Sequence, residues 1–391
     1  MSGELRGNFR VLAGGFTAFF FLNILNSSYS TVMAPIKDEL SLTYTMSGAL
    51  MSAYFVGYTL GQVPWGLLAD RYGSRRVMVS SILGIASASM FFSLSQTFTQ
   101  AAVARFLAGL LGAGVFVPGV RLVSGWFPPN SRGTALGILS IGGSLGLILA
   151  GWVVPYTTLW LGWRGTLAAF GALGLLSTAA IWMTLRDRHS DSAASPLFSG
   201  MADVFRTRSF WILALIQAIR LGTNYAFIAW LPLLLREEFG LELVAAGAVF
   251  SLFNLAGMVS NPAGGFASDR MGEKRVIVAS FAALGLTASL FTGLRGGIPL
   301  YAAVLVLGWF INFVRSPVFA IIPRLYGVER AGKVSGVQNT FASLGALIMP
   351  FLMGVVRDTT SSYTAGWTIL STALISVTLL SLLLDVTTLG D

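Results

Sequence analysis

The chain has 391 residues, of which 55% are hydrophobic and only 10% are charged. A soluble protein usually has about 25% charged residues, so most of this surface must face a medium other than water. The sequence contains no cysteine, which excludes disulfides and thiolate metal sites, and its single histidine leaves almost no material for an imidazole metal site or a serine–histidine relay. We therefore predict an all-α polytopic membrane protein that is not an enzyme and that needs no cofactor and no metal ion.

Apolar stretches long enough to cross a bilayer, which takes about 20 residues, follow one another along the chain. We predict twelve transmembrane helices, at 11–34, 45–69, 75–96, 99–125, 132–155, 162–185, 210–235, 242–267, 274–294, 298–322, 331–355 and 363–385. The polar segment 186–209 is typical of a linker. It predicts an N-terminal six-helix bundle at 1–185, a cytoplasmic linker at 186–209 and a C-terminal six-helix bundle at 210–391.

The net charge of +9 is explained by where the basic residues lie. Most lysines and arginines fall in the termini and in the loops that lie on the same side as the termini. The positive-inside rule then places both termini in the cytoplasm and the protein in the cytoplasmic (inner) membrane. Because topology accounts for the basic residues, we expect no nucleic-acid partner.

An internal repeat relates the two halves of the chain. The segment from Gly66 to Arg76 and the segment from Gly265 to Arg275 align without gaps, at an offset of 265 − 66 = 199 residues. The same offset also matches glycines and prolines elsewhere, including Gly109 with Gly308, Pro118 with Pro317 and Gly146 with Gly345. Six helices followed by six related helices in the same order require a parallel repeat about an axis along the membrane normal.

The repeated loop motif, which reads G-x-x-x-D-R-x-G-x-R/K-R, resembles the signature of the major facilitator superfamily. The resemblance implies two six-helix bundles around a central cavity that opens alternately to each side. Asp70 and Asp269 are expected to pair with neighbouring arginines, while Gly73 and Gly272 permit a tight turn. A motif that fixes only the topology is the alternative to a gating role. The gating residues implied are Gly66, Asp70, Arg71, Gly73, Arg75 and Arg76, with Gly265, Asp269, Arg270, Gly272, Lys274 and Arg275.

Charges at membrane depth point to the transported species. Every Asp and Glu falls at a predicted helix end or in a loop, whereas Arg105, Arg121, Arg220 and Arg315 lie within predicted helices. A charged side chain at the bilayer centre costs roughly 2.5 kcal/mol or more, so it is retained for a reason. A positive cavity without a carboxylate needs a counter-ion, and a transported anion supplies one.

The four arginines are predicted to play different roles. Arg105 lies in a glycine-rich part of helix 4 and is expected to be structural. The run from Pro118 to Pro128, P-x-x-R-x-V-x-x-W-F-P, resembles the anion:cation symporter branch, which implies that Arg121 contacts a substrate carboxylate as the main clamp. Snorkelling to the interface is the alternative. Arg220 and Arg315 would complete the cavity, with interhelical hydrogen bonding as their alternative role.

Further polar residues at helical depth could form a hydrogen-bonding shell around the substrate. Singly, such residues more often hold helices together than bind a ligand, and that alternative stays open for each. The predicted shell consists of Asn23, Asn26, Tyr29, Asn224, Tyr225, Asn254, Asn312, Gln338 and Asn339.

We therefore predict a monomeric secondary active transporter of a small organic anion, most simply a carboxylate. Its partners would be that anion, the lipid bilayer and a co-transported proton or counter-anion. Sugar-acid members of the branch often carry an Asp-Arg pair on helix 1, where this chain reads Asn26-Ser27-Ser28-Tyr29. That difference favours anion exchange or uptake of a protonated acid over carboxylate-mediated proton symport. An inorganic-anion carrier of the nitrate/nitrite kind is the first alternative, and an exporter of hydrophobic compounds is the second.

Overall fold

The structure is a computed structural model that describes residues 2–187, 202–291, 293–294 and 296–384. Residues 188–201, the larger part of the predicted linker, lie outside the described residues. The regular structure within the described part of the chain is helical. Its helices are α1 (Ser2–Thr31), α2 (Met33–Glu39), α3 (Tyr44–Tyr72), α4 (Ser74–Ser93), α5 (Phe98–Gly112), α6 (Phe116–Trp126), α7 (Pro129–Thr184), α8 (Ala202–Arg206), α9 (Arg208–Glu237), α10 (Leu243–Met271), α11 (Glu273–Phe291), α12 (Gly297–Phe313), α13 (Arg315–Tyr326), α14 (Val328–Thr360) and α15 (Tyr363–Ser381).

Ten stretches of the described chain are long and apolar enough to cross a membrane. Two features separate this number from the twelve helices expected. The helix α3 is not among the ten, although its 29 residues reach across a bilayer. The stretches expected at 132–155 and 162–185 form the single element α7, which changes direction at Gly162, where φ is 64° and ψ is 170°. The count of twelve and the cytoplasmic location of both termini stay predictions.

Two compact units divide the chain. The first comprises Met1–Ser192 with Gly240–Ser251, and the second comprises Ala193–Phe239 with Leu252–Asp391. In the first unit α1 packs on α7, and α3 and α4 pack on α5. In the second unit α9 packs on α14, and α11 packs on α12 and α15. The predicted boundaries at 185 and 210 stay predictions.

The repeat is visible in helix packing as well as in sequence. A Cβ atom on Gly109 would collide with the backbone carbonyl of Tyr54, and one on Gly308 would collide with that of Phe253. The glycines and the carbonyls they face are both 199 residues apart. Two helix backbones can approach this closely only where one of them has no side chain. Both repeats therefore use the same glycine contact to hold their helices together.

The paired loop glycines have the same unusual backbone conformation in both repeats. Gly73 joins α3 to α4 with φ of 89°, and Gly272 joins α10 to α11 with φ of 86°. Positive φ values are strained for residues with a side chain and are readily adopted by glycine. This explains why each loop motif has a glycine at that place.

Candidate functional site

Arg220 lies in the interior of the second unit. It stands midway along α9 with 4% of its surface exposed. Its Nε donates a hydrogen bond of 3.0 Å to Oε1 of Gln217, one turn earlier on the same helix, and Gln217 is fully buried. The Nε2 of Gln217 is buried without a hydrogen-bond partner in the described part of the chain. Arg220 therefore has a neutral acceptor in a polar pocket that still holds an unused donor.

Arg315 is the second cation of this region. It is the first residue of α13 and is partly buried. Arg315 interacts electrostatically with Arg220 and with the buried hydroxyl group of Tyr225 on α9. Two guanidinium groups are therefore close enough to repel each other, and guanidinium stays charged in proteins.

Counter-charges for this pair are missing from the described residues. Within the ranges that the structure describes, no Asp or Glu lies within salt-bridge distance of Arg220 or Arg315. A buried charge is tolerated when it is paired, and an uncompensated one is strongly destabilising. This arrangement can accept an anion, because guanidinium binds carboxylate or nitrate through two parallel hydrogen bonds.

Two of the other predicted site residues in the second unit use their donors on backbone carbonyls. Asn312 donates to Gly308 at 3.3 Å, and Gln338 donates to Phe210 at 2.9 Å. These are the contacts expected of residues that hold helices in place. Asn254 is 7% exposed, whereas Asn224 and Asn339 are partly buried. Their contacts with substrate stay predictions.

Two of the three predicted site residues of α1, Asn26 and Tyr29, contact Arg105. Asn26 accepts hydrogen bonds from Arg105 through both its side-chain oxygen, at 3.1 Å, and its backbone carbonyl, at 3.4 Å. The guanidinium of Arg105 lies 4.8 Å from the ring centroids of Tyr29 and Tyr54. Tyr29 also donates to the carbonyl of Ser47, and Asn23 donates to the carbonyl of Phe19. A substrate contact by Asn23, Asn26 or Tyr29 stays a prediction.

Arg121 forms an ion pair with Asp70, which we expected to pair with neighbouring arginines of its loop motif. Its Nη1 contacts Oδ1 of Asp70, and the two side chains are 39% and 43% exposed. The expectation that Asp70 pairs with arginines of its own loop is therefore not met in this structure, because Asp70 reaches across to α6. Arg121 has a protein counter-ion here, so it could bind an anion only in competition with Asp70.

The first loop motif is held by residues in the last turn of α7 and just beyond its end. The backbone N–H of Arg75 donates to Oδ1 of Asp187 at 3.0 Å. The side chain of Arg75 donates to the carbonyl of Trp182 at 2.6 and 3.0 Å and stacks on its ring at 3.8 Å. Sequence reasoning missed Asp187 and Trp182, which lie outside every motif. A polar residue just beyond a helix that ends on the side of the loop was the available signal.

The second loop motif is held by different residues in the same place. Lys274 donates to the carbonyl of Leu384 at 2.7 Å, and Glu273 pairs with Arg324 of α13 at 2.6 Å. The remaining predicted gating residues contact ring faces or are exposed. Arg71 stacks on Tyr72 and Arg270 stacks on Phe266, whereas Arg76, Asp269 and Arg275 are exposed. Gating by either motif stays a prediction.

These features define a class of protein: an integral membrane protein with two repeats of apolar helices, in which arginines lie at helical depth. The chain belongs to the Major Facilitator Superfamily, whose sequence profile matches residues 15–262 and 213–389. The resemblance found in the loop motifs is thereby confirmed.

Relatives with an assigned name are similar over almost the whole chain. A probable L-galactonate transporter of Escherichia coli (strain K12) is 27% identical, over 90% of this chain and 85% of its own. A probable nitrate/nitrite transporter, NarK2, of Mycobacterium tuberculosis is 28% identical, over 93% of this chain and 91% of its own. A crystal structure of a bacterial homolog to the human lysosomal transporter Spinster covers 97% of this chain and 95% of its own, with a TM-score of 0.77 and 17% identity. That structure is similar in fold.

Proposed function

We propose that this protein transports a small organic anion, with a carboxylate as the first candidate, and that Arg220 and Arg315 bind it. The observation that carries the proposal is the pair of interacting guanidinium groups with no carboxylate beside them in the described residues. A bound anion would relieve both the repulsion and the desolvation of these charges. Binding energy of this kind would favour the conformation that closes around the anion.

The relatives support an anion as substrate. One is named for L-galactonate, a carboxylate, and another for nitrate and nitrite. Both kinds of anion present a planar arrangement of oxygens to a guanidinium. The nitrate-named relative, which is as similar as the galactonate-named one, supports an inorganic anion as the second candidate.

Arg121 has a secondary role in the proposed anion site. It is bonded to Asp70 and is more exposed than Arg220, so we assign the centre of the site to Arg220 and Arg315. Arg121 would contact substrate only in a state in which its pair with Asp70 is broken. A proton or a counter-anion as the coupled species is equally compatible with this arrangement.

The test is thermal unfolding of the purified protein with a panel of sodium salts: nitrate, phosphate, monocarboxylates, dicarboxylates and sugar acids. An anion at about 100 times its Kd stabilises the native state by roughly 2.7 kcal/mol, which raises the Tm measurably. We expect a shift from one class of anion, lost in Arg220→Gln and in Arg315→Gln. Arg220→Lys should restore it only in part, because an ammonium group lacks the planar fork.

A matched control lies on the same helix. Arg208→Gln removes the same charge from the exposed start of α9 and should keep the full anion response. A response to nitrate alone would favour the second candidate. A wild-type protein that responds to no anion, or responses that survive in both Arg220→Gln and Arg315→Gln, would contradict the proposal.

A further inference from the structure

A cavity of about 330 Å³ lies within the second unit, far from the arginine pair. It forms where α9 and α11 end and α15 begins, which is the end of the unit opposite the loop at Gly272. Glu238, on its wall, follows Arg220 by 18 positions along the same helix, roughly 27 Å. The cavity is therefore separate from the proposed anion site.

Aromatic rings form much of the cavity wall. Phe239, Phe291, Tyr363 and Trp367 all line it. The ring centroids of Phe291 and Trp367 are 5.6 Å apart, and those of Phe239 and Phe291 are 6.4 Å apart, with both pairs edge-on. Ring faces attract cations through their quadrupole, and such aromatic walls are the usual surroundings of bound quaternary ammonium groups.

Among the described residues, carboxylates outnumber guanidinium groups at this end of the unit: the acidic residues are Glu237, Glu238 and Asp358, and the basic ones are Arg236 and Arg357. Oε1 of Glu238 and Oε2 of Glu237 lie 3.9 and 4.0 Å from the same guanidinium nitrogen of Arg357. Tyr363 donates a hydrogen bond of 2.8 Å to Glu237, and Arg357 stacks on the ring of Tyr363. Both carboxylates approach Arg357, and Glu238, the more exposed of them at 46%, is the one that lines the cavity.

We propose that this cavity binds an organic ammonium group. The aromatic walls supply cation–π attraction, and Glu238 supplies a negative charge on the cavity wall. An anion would be repelled by Glu238, so this site selects against the substrates proposed for the arginine pair. The cavity is at the small end of ligand pockets, which suits a headgroup-sized cation. The ammonium group belongs either to a phosphatidylethanolamine headgroup or to a free amine.

The first experiment compares choline chloride with 3,3-dimethylbutan-1-ol, its neutral analogue of the same shape, by thermal unfolding in detergent. Sodium chloride keeps the ionic strength constant. We expect choline to raise the Tm by roughly 2 °C or more and the alcohol to have no effect. Glu238→Gln should lose the response, and Phe239→Leu should weaken it. Glu242→Gln removes an exposed carboxylate four positions after Glu238 in the chain that does not line the cavity, and it should respond like wild type.

The second experiment distinguishes the lipid from a free amine. Wild type and Glu238→Gln are compared in nanodiscs of phosphatidylethanolamine and phosphatidylglycerol, and in nanodiscs of phosphatidylglycerol alone, without added amine. A Glu238-dependent stabilisation by phosphatidylethanolamine identifies a headgroup site, whereas one produced by choline alone identifies a free-amine site. Equal stabilisation by choline and by the alcohol, or no Glu238-dependent effect in either experiment, overturns the proposal.

Discussion

Buried arginines occur in both units, and their surroundings differ. Arg105 in the first unit and Arg220 in the second are each 4% exposed. Arg105 donates to the carbonyl of Leu50 and to two oxygens of Asn26, and two tyrosine rings lie over it. Arg220 has Gln217 as its acceptor and a second arginine as a neighbour. The charge of Arg105 has several fixed partners, whereas that of Arg220 has one neutral acceptor and a like charge as a neighbour.

We expect this difference to distinguish a structural arginine from an anion-binding arginine better than depth in the membrane does. Fixed carbonyl dipoles and ring faces can replace the hydration of a cation without any carboxylate. A site solvated in this way has no need of an external anion. A cation whose nearest charged neighbour is another cation is destabilised until an anion arrives. Anion binding is therefore most favourable at the site whose charges have the fewest partners in the anion-free protein.

The largest effect is expected when each of the two buried arginines is replaced with methionine. These replacements test directly whether the two arginines differ. Arg105→Met leaves Oδ1 of Asn26 buried without its donor and removes two cation–π contacts, and we expect a loss of about 3 kcal/mol in the free energy of unfolding. Arg220→Met removes a repelled charge, so we expect a change near zero or a stabilisation of about 1 kcal/mol. Unfolding of the anion-free protein measures both, with Arg208→Met as the exposed control. Equal losses in the two variants would refute the distinction.

A smaller effect concerns the ion pairs at the loop motifs. Both repeats have an ion pair at the loop motif, but the residues differ. Asp70 pairs with Arg121 in the first repeat, and Glu273 pairs with Arg324 in the second. We expect Asp70→Asn and Arg121→Gln to have similar, non-additive effects, with a coupling of about 1 kcal/mol or less because both groups are over a third exposed. Both variants should keep the anion-induced rise in Tm. Loss of that rise in Arg121→Gln alone would restore Arg121 as the main clamp.

The fold was predictable from the sequence because its evidence is periodic. Gly109 and Gly308 occupy equivalent positions, and both contact a neighbouring backbone as a repeat requires. The kinked α7 was harder to foresee, because Gly162 changes the helix direction without a long polar loop. A sequence pattern therefore locates apolar segments more clearly than it locates the residue at which one helix ends.

The site was predictable only in part because pairing depends on helix rotation. The absence of acidic residues within the predicted helices drew attention to Arg220 and Arg315, which interact in the structure, and their contact with substrate stays a prediction. The same reasoning could not foresee that Asp70, at a helix end, reaches Arg121, 51 residues later. Nor could it foresee that Asn26 and Tyr29 face Arg105. A side chain near the end of one helix can therefore contact a side chain that the sequence pattern places deeper in another helix.

The smallest effect is expected at Glu39 in the first unit, which the 199-residue offset relates to Glu238 in the second unit. Glu39 accepts from Arg164 at 2.8 Å and from Trp163 at 2.5 Å, and the bond to Arg164 holds the pKa of Glu39 below its usual value. A lowered carboxyl pKa stabilises the folded state above the unfolded pKa of about 4.3, and this contribution is lost as the pH falls through the folded pKa. Glu39 is half exposed, so we expect Glu39→Gln to cost under about 1 kcal/mol at pH 7. Thermal unfolding from pH 7 down to pH 3 should show the deficit of Glu39→Gln shrinking as the pH falls. A deficit in Glu39→Gln that is independent of pH would mean that Arg164 and Trp163 contribute packing instead of charge.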